Sequence, residues 1–448
     1  MKINKKWLIF IFVLSLIGIG CKKYLETKPD SRLAVPTTKE DLQAMLDTYY
    51  KMSEQESALG ENCSDNYFLS SDLWAGLPTE DERNLYIWDK NVLFNNPAND
   101  WYNLYEKINY CNAVIEAYDK MSQDEKIKSS DVLGQALFFR ATSFLSALTI
   151  WAKTYHPETS KDDLGIPLRL NTNFNEKTTR ASVKDGYEQV ISDLTKSAGL
   201  LTKTPIHVIR PSKQAAYGYL SRTYLMMGEF QSSFNYADSC LKIKNDLLDY
   251  NNIDLEASLP FPRFNKEVIF ELASGSTSSI FFGNIDTLLY KDYELHDLRK
   301  RGYFSDSGDG TYKYKGSYES HNSMLFWGLA SDEMYLNRAE CNARLQNLET
   351  ALLDLNYLRI NRIDKEHYAP FFSSNQQDIL DKILSERRKE LLFRGLRWSD
   401  IKRLNRIKPA INLIRKLGAK TYTLPPNDPK FALPIPESVI NLSGIQQN

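Results

Sequence analysis

The sequence predicts a mainly α-helical protein: a spine of antiparallel helical pairs carrying long irregular, partly β insertions within a single compact domain. Three observations carry this. Apolar residues recur every three to four positions through most of the 448-residue chain, the repeat of one helix face, and seldom alternate as in strands. Residues 211–244 read as two short helices folded back on one another. Between the helical stretches lie aromatic-rich runs with no helical period. The 26 Tyr, 21 Phe and 7 Trp make 12% of the chain, more than a core requires, so some rings must meet solvent. Hydrophobic residues at 42% and charged residues at 25% are ordinary for globular chains. A balance of 56 basic against 57 acidic residues removes any overall electrostatic case for nucleic acid as partner.

Helical spacing places helices at about 39 to 57, 100 to 121, 132 to 153, 183 to 201, 211 to 228, 229 to 244, 330 to 345, 348 to 362 and 377 to 394. In the clearest pair, Pro211 suits a first turn, then Ala216, Leu220 and Tyr224 line one face. Gly228 breaks that helix, and Phe230, Phe234, Ala237 and Leu241 line the next. This order of small and aromatic residues around a glycine resembles a tetratricopeptide repeat, two packed helices in about 34 residues. A second copy opens on Ser331 as expected N-cap, with Asp332 and Glu333 in the first turn, and runs through Tyr335, Leu336, Ala339 and Ala343 to Ala351, Leu352 and Leu355. The helical pairs fall near 100–153, 183–244 and 330–362. The insertions are 58–98, 154–182 and 245–328, and loops of such length inside a compact domain are usually functional. The basic stretch 382–420 alternates with Glu386, Glu390 and Asp400 and reads as a solvated or internally salt-bridged helix.

At the N-terminus, Lys2, Lys5 and Lys6 precede an apolar run from Trp7 to Gly20, the order of a signal peptide. Fourteen residues are too few for the ~20 that cross a hydrocarbon core. Gly18-Ile19-Gly20-Cys21 is similar to a bacterial lipoprotein cleavage box, which assigns 1–20 to the signal and makes Cys21 the expected lipidation site of a domain over 21–448. Several acyl chains on Cys21 would give stable membrane anchoring. The remaining Cys63, Cys111, Cys240 and Cys341 could pair in three ways in an oxidising compartment, but they show no zinc spacing, and the favoured expectation is buried free thiols.

Motifs in order along the chain then resemble one family. Cys21-Lys-Lys-Tyr24-Leu25-Glu26-Thr-Lys-Pro29 is similar to the opening of SusD/RagB-type outer-membrane lipoproteins of Bacteroidetes. Gly134-Gln-Ala136 through Arg140-Ala141, Gly165-Ile-Pro167-Leu168, and Arg180-Ala-Ser182 through Tyr187 resemble its next three motifs. Glu333-Met-Tyr335-Leu336 through Ala343, Leu355-Asn356 through Arg359, Glu386-Arg387-Arg388-Lys389-Glu390-Leu391, Gly395 through Arg403, and Leu433-Pro434-Ile435-Pro436 continue the series to Asn448. The chain departs from the family at Arg394, where Glu is common, at Ala152-Lys153, and at Lys22-Lys23, which replace acidic residues associated with surface export.

The resemblance implies a lipid-anchored outer-membrane protein, at the cell surface, that binds an oligosaccharide, or a peptide, and delivers it to a SusC-like TonB-dependent transporter without catalysing a reaction. No nucleophile, zinc-protease or nucleotide-binding motif is present, and no cofactor or metal is expected. Asp306-Ser-Gly-Asp309-Gly310 lacks the further acidic positions of a calcium loop and reads as a turn. A periplasmic tetratricopeptide scaffold and a glycan-active enzyme are the alternatives. Sugars present apolar C–H faces between hydroxyls, so a neutral glycan binder needs exposed rings with a few polar neighbours. Trp101, Trp151, Tyr224 and Trp398 lie on helical faces and are assigned to the core. The ligand candidates therefore come from the insertions: Tyr67, Trp74 and Trp88 in the first, Tyr290, Tyr293, Tyr303 and Trp327 in the second, with Asn66, Asp72 and Asp292 as polar neighbours.

Overall fold

A helix begins most readily where a short polar side chain satisfies the free amides of its first turn. In the computed structural model, which describes residues 36–92, 94, 96, 99–408 and 410–448, Thr38 caps α1 (Lys39–Leu46) and Asn99 caps α2 (Asp100–Asp119). The long apolar α3 (Ser130–Trp151) follows, and Ser182 opens α4 (Val183–Leu200) through a reciprocal bond with Asp185. The cap of α5 (Lys213–Met227) is Ser212, which leaves Pro211 outside the helix, one position ahead of the cap, and not in its first turn. Gly228 ends α5 at φ +83°, where an added Cβ would stand 2.2 Å from the Arg406 guanidinium, and α6 (Phe230–Leu241) turns back. After the long insertion come α7 (Ser331–Arg344), α8 (Leu348–Ile360), α9 (Gln376–Glu390) and α10 (Arg397–Ile407). Ser331 is the first residue of α7 and does not cap it. Its predecessor Ala330 is still extended strand, so the chain passes directly from strand to helix.

Each helix from α2 to α8 packs on the next, and α7 also holds α9, so the stack runs on from α6 to α7 across the 245–328 insertion. The predicted mainly helical spine is what forms. One apolar core extends from Leu42 to Ile445, and a smaller cluster of Ala339, Ala343, Ala351, Leu355, Ile379 and Ile383 lies between α7, α8 and α9. Trp101, Trp151 and Trp398 are buried as expected, and Tyr224 is half-buried against Tyr236. Cys63, Cys111, Cys240 and Cys341 are buried free thiols; burial pushes those of Cys63 and Cys111 up to about 12, which makes them unreactive.

The charged residues of the sequence motifs bolt these helices together. Arg140 of α3 forks onto Asp193 of α4 at 2.8 and 2.9 Å and reaches Asn112 of α2 at 2.9 Å. Arg222 of α5 forks onto Glu333 of α7 at 2.8 and 2.6 Å. On α10, Arg403 holds Glu340 of α7 at 2.6 and 2.8 Å, and Asp400 receives Arg387 of α9 at 2.8 Å. Buried charge requires such pairing, so the basic stretch 382–420 is internally bridged and largely buried, not solvated. It is also not one helix. It divides into α9, α10 and a β-hairpin over residues 413–424.

The insertions supply short strands: β1 (Tyr67–Phe68), β2 (Val268–Phe270), β3 (Ala273–Gly275), β4 (Asn284–Ile285), β5 (Phe304–Asp306), β6 (Tyr312–Tyr314), β7 (Met324–Phe326) and β8 (Leu329–Ala330). β2 pairs with β8, β3 with β7, and β5 with β6, all antiparallel, and the last hairpin turns on Asp306 and Asp309, which accept the amides of Gly308 and Thr311. Near the C-terminus β9 (Leu413–Leu417) and β10 (Lys420–Leu424) form a second hairpin. The expected lipidation residue Cys21 lies outside the described residues.

Candidate functional site

The two insertions singled out from the sequence meet. β1 of the first pairs antiparallel with β4 of the second, Tyr67 opposite Ile285 and Phe68 opposite Asn284, and the amide of Asp286 donates to Asn66 O at 3.0 Å. Beside this ribbon opens a cavity of about 380 Å³ lined from the first insertion by Asp65, Phe68 and Trp88, from the second by Asp286 and Leu288, and from β9 by Ile414 and Arg415. Leu288 is 71% exposed and Ile414 56%.

Arg415 is the floor. Its buried guanidinium donates to three carbonyls of the first insertion, Asn62 at 3.1 Å, Ser64 at 2.6 Å and Tyr67 at 3.1 Å. Its charge centre lies 3.7 Å from the ring centre of Tyr86, 4.8 Å from that of Tyr67 and 5.3 Å from that of Trp88. Planar guanidinium over aromatic faces is favourable in this dry setting. On the wall, Arg397 forks onto Asp65 at 2.6 and 2.8 Å and Arg388 approaches it at 3.2 Å. Burial alone would raise the Asp65 carboxyl, but these two guanidiniums outweigh it and hold the group well below the usual carboxylate range.

The burial of several candidate rings overturns their expected role. Tyr67 packs against Gly283 and donates its hydroxyl to Asn62 O; Trp88 donates Nε1 to Cys63 O; Asn66 donates its side-chain amide to Glu61. Tyr293 donates to Lys389 O, Tyr303 lies within hydrogen-bond reach of Tyr250, and Trp327 lies against Gly395. All six are under 9% exposed, so none presents an open ring or side chain, although Tyr67 and Trp88 reach the cavity wall with their edges. The insertions are thick enough to own a core, and these residues are that core. Four candidates remain accessible. Trp74, on the short helix Ser71–Ala75, is half-buried with Nε1 on Arg83 O, and Asp72 beside it is exposed. Tyr290 is half-buried, stacked on Tyr312 at 3.7 Å, and Asp292 is exposed.

Two exposed rings escaped the sequence reading. Phe281 and Phe282 are 48% and 50% exposed at the end of the short helix Ser278–Phe282. Lys313 of β6 fixes that end by donating to Phe282 O and Gly283 O, so the helix, β4 and the Tyr290–Tyr312 stack share one rigid support. Nothing local marks these two rings as exposed, since the adjacent Phe138 and Phe139 of α3 are both buried. Arg415 carried no signal either, because nothing local marks a hairpin residue as the partner of a loop some 350 positions away.

Two family models match the chain: one described as starch-binding and associating with the outer membrane over residues 23–225, and the SusD family over residues 304–448. The chain belongs to the SusD/RagB family. This SusD/RagB chain is 24% identical over 526 aligned positions to SusD-like protein P2 of Formosa agariphila, covering 99% of each. Its fold is similar to that of a SusD superfamily protein from Bacteroides thetaiotaomicron, with TM-score 0.72 and 20% identity over 92% of this chain and 99% of that one. It is similar also to a SusD-like carbohydrate binding protein from Bacteroides vulgatus, with TM-score 0.68 and 20% identity over 91% and 97% of the two chains. The motif residues shared with the SusD/RagB pattern, Arg140, Glu333, Glu340, Arg387 and Arg403, are the helix bolts described above.

Below the cavity, burial pushes the Glu61 carboxyl up to about 7, despite donations from Asn66 and Ser64 that lower it. An unfolded chain would lose this proton near 4.5. Between those values the folded chain holds the extra proton, so this group's contribution to stability falls as pH rises and its full cost is present above 7. Glu61→Gln is expected to remove that slope. The melting temperature of the variant relative to wild type should climb between pH 4.5 and pH 8, and a constant difference across the range would refute the assignment.

Proposed function

We propose that the protein binds an oligosaccharide at the junction of its two insertions and passes it to a SusC-like TonB-dependent transporter, held at the outer membrane by lipid on Cys21 after removal of residues 1–20. The observation that carries this is the β1–β4 ribbon, which joins the two insertions beside an open cavity, with the partly exposed Trp74 following β1, Phe281 and Phe282 preceding β4, and Tyr290 following it. Rings supported from below but open above can stack on sugar C–H faces without reordering. Family membership and the likeness to a SusD-like carbohydrate binding protein support the ligand class. The site is read as a binder and not a catalyst. Asp65 is held as a carboxylate by the Arg397 fork and so cannot act as a proton donor to a substrate.

Incubation with oligosaccharide and peptide mixtures tests the reading. Retention of unaltered oligosaccharide is the expected result, retention of peptide alone would change the ligand class, and product formation would establish an enzyme. Trp74→Ala and the double change Phe281→Ala with Phe282→Ala should each weaken retention by ~1 kcal/mol or more with the melting temperature nearly unchanged. Unaltered affinity in both would remove the site assignment. Recovery of a SusC-like transporter with the tagged protein from mild-detergent extracts, and release of Cys21→Ser from the membrane fraction, are the expected outcomes for partner and anchor.

A further inference from the structure

The third insertion, 154–182, takes no part in the junction, yet it encloses a cavity of about 530 Å³ against α2. Trp101, Tyr105, Asn109, Asn112 and Glu116 recur at helical spacing along one face of α2, and the segment 167–178 is tied down over them. Tyr105 donates its hydroxyl to Pro167 O at 2.8 Å, Asn112 its amide to Arg169 O at 2.9 Å, and Glu116 accepts both the backbone and the hydroxyl of Thr172 at 2.7 Å. Arg169 in turn donates to Asn173 O and Glu176 O. A loop fixed this firmly would be expected to bury its apolar side chain. Instead Phe174 is 84% exposed at the cavity, as is Leu442 at 90%, from the short helix Glu437–Ser443. Such display costs solvation and returns nothing to folding.

From this geometry we infer a second saccharide-binding cleft between α2 and the segment 167–178, for neutral sugar units stacked on Phe174. Its chemistry fits that class. The volume lies within the 300–1,000 Å³ usual for ligand sites. Asn109 and Thr178 line it and make no side-chain hydrogen bond among the described residues, so both can serve sugar hydroxyls. Of the charged lining side chains, Arg169 and Glu176 are bonded within the loop, leaving Lys177 at the rim. An extended peptide would want a strand edge, and 167–178 forms none.

The inference rests on the saccharide reading above but not on the junction site, and hydrogen exchange separates the two. The full chain is compared with and without a mixture of neutral oligosaccharides derived from starch, cellulose, xylan and mannan. The expected result is slowed exchange in 101–112 and 167–178 as well as in 64–86 and 278–290. In Phe174→Ala and in Asn109→Ala, half-protection of the first two segments should require about 5- to 10-fold more sugar, with the other two and the melting temperature unaffected. Protection confined to 64–86 and 278–290 overturns the second cleft and leaves the junction standing. Protection confined to 101–112 and 167–178 does the reverse, and protection nowhere overturns both.

Discussion

Arg299→Met is expected to lower the stability of the folded chain by about 3–5 kcal/mol, read as a shift of the urea unfolding midpoint. Arg299 is fully buried and donates to Asp297 at 2.9 and 2.7 Å, to Glu386 at 2.6 Å and to Glu390 at 2.9 Å. Arg362 spans Glu390 and Glu267, each at 2.8 Å, and Lys389 holds Glu386 at 2.7 Å. Asp297, Glu386, Glu390 and Glu267 are thus held by Arg299, Arg362 and Lys389, with Lys382 and Arg359 also 3.2 and 3.8 Å from Glu386. Methionine fills the space of the arginine stem, so packing is largely kept while Asp297, Glu386 and Glu390 each lose a buried guanidinium partner. A measured loss below about 1 kcal/mol would show that the network relaxes or takes up protons at little cost, and would remove it as the clamp between α9 and the second insertion.

Trp327→Ala should cost a similar ~3–5 kcal/mol, the range for emptying a large aromatic site from a core. The sequence reading expected the opposite, a ring on the ligand with little influence on melting. In the fold Trp327 is 8% exposed, its amide donates to Leu272 O at 2.7 Å, and its indole covers Gly395 so closely that a Cβ there would lie 2.2 Å from the ring. Gly395 stands at φ +70°, so the contact and the backbone conformation both require glycine. Loss of ligand binding without loss of stability in Trp327→Ala would return this residue to the site.

These two results mark what was legible in the sequence and what was not. Helices α2 to α9 were legible because their period is local: Ala216, Leu220 and Tyr224 announce a face whatever lies opposite. Helix α10 was legible only as part of one basic helix, either solvated or internally salt-bridged, because the partners that bury Lys402, Arg403 and Asp400 lie on other helices. The sequence singled out the two insertions, and the structure brings them together, but the sequence did not show which of their rings stay open. That depends on distant contacts: Tyr67 is buried where β1 pairs with β4, Trp88 against Arg415, Tyr293 against Lys389 and Tyr303 against Tyr250. Side-chain type alone cannot tell a ring that closes such a contact from one left outside it.

The reach of Arg415 also sets an order of events during synthesis. Its bonds to Asn62 and Ser64 span 353 and 351 positions of sequence, and at Asn62 O it joins the local donation from the Tyr67 hydroxyl. Loops closed over such a distance form late, after the locally encoded helices have docked. A nascent chain therefore carries both insertions past the ribosome with the junction still unfloored. The floor of the proposed site arrives only with β9 and the last tenth of the polypeptide, so a product halted before β9 would present the helical spine with the junction open beneath.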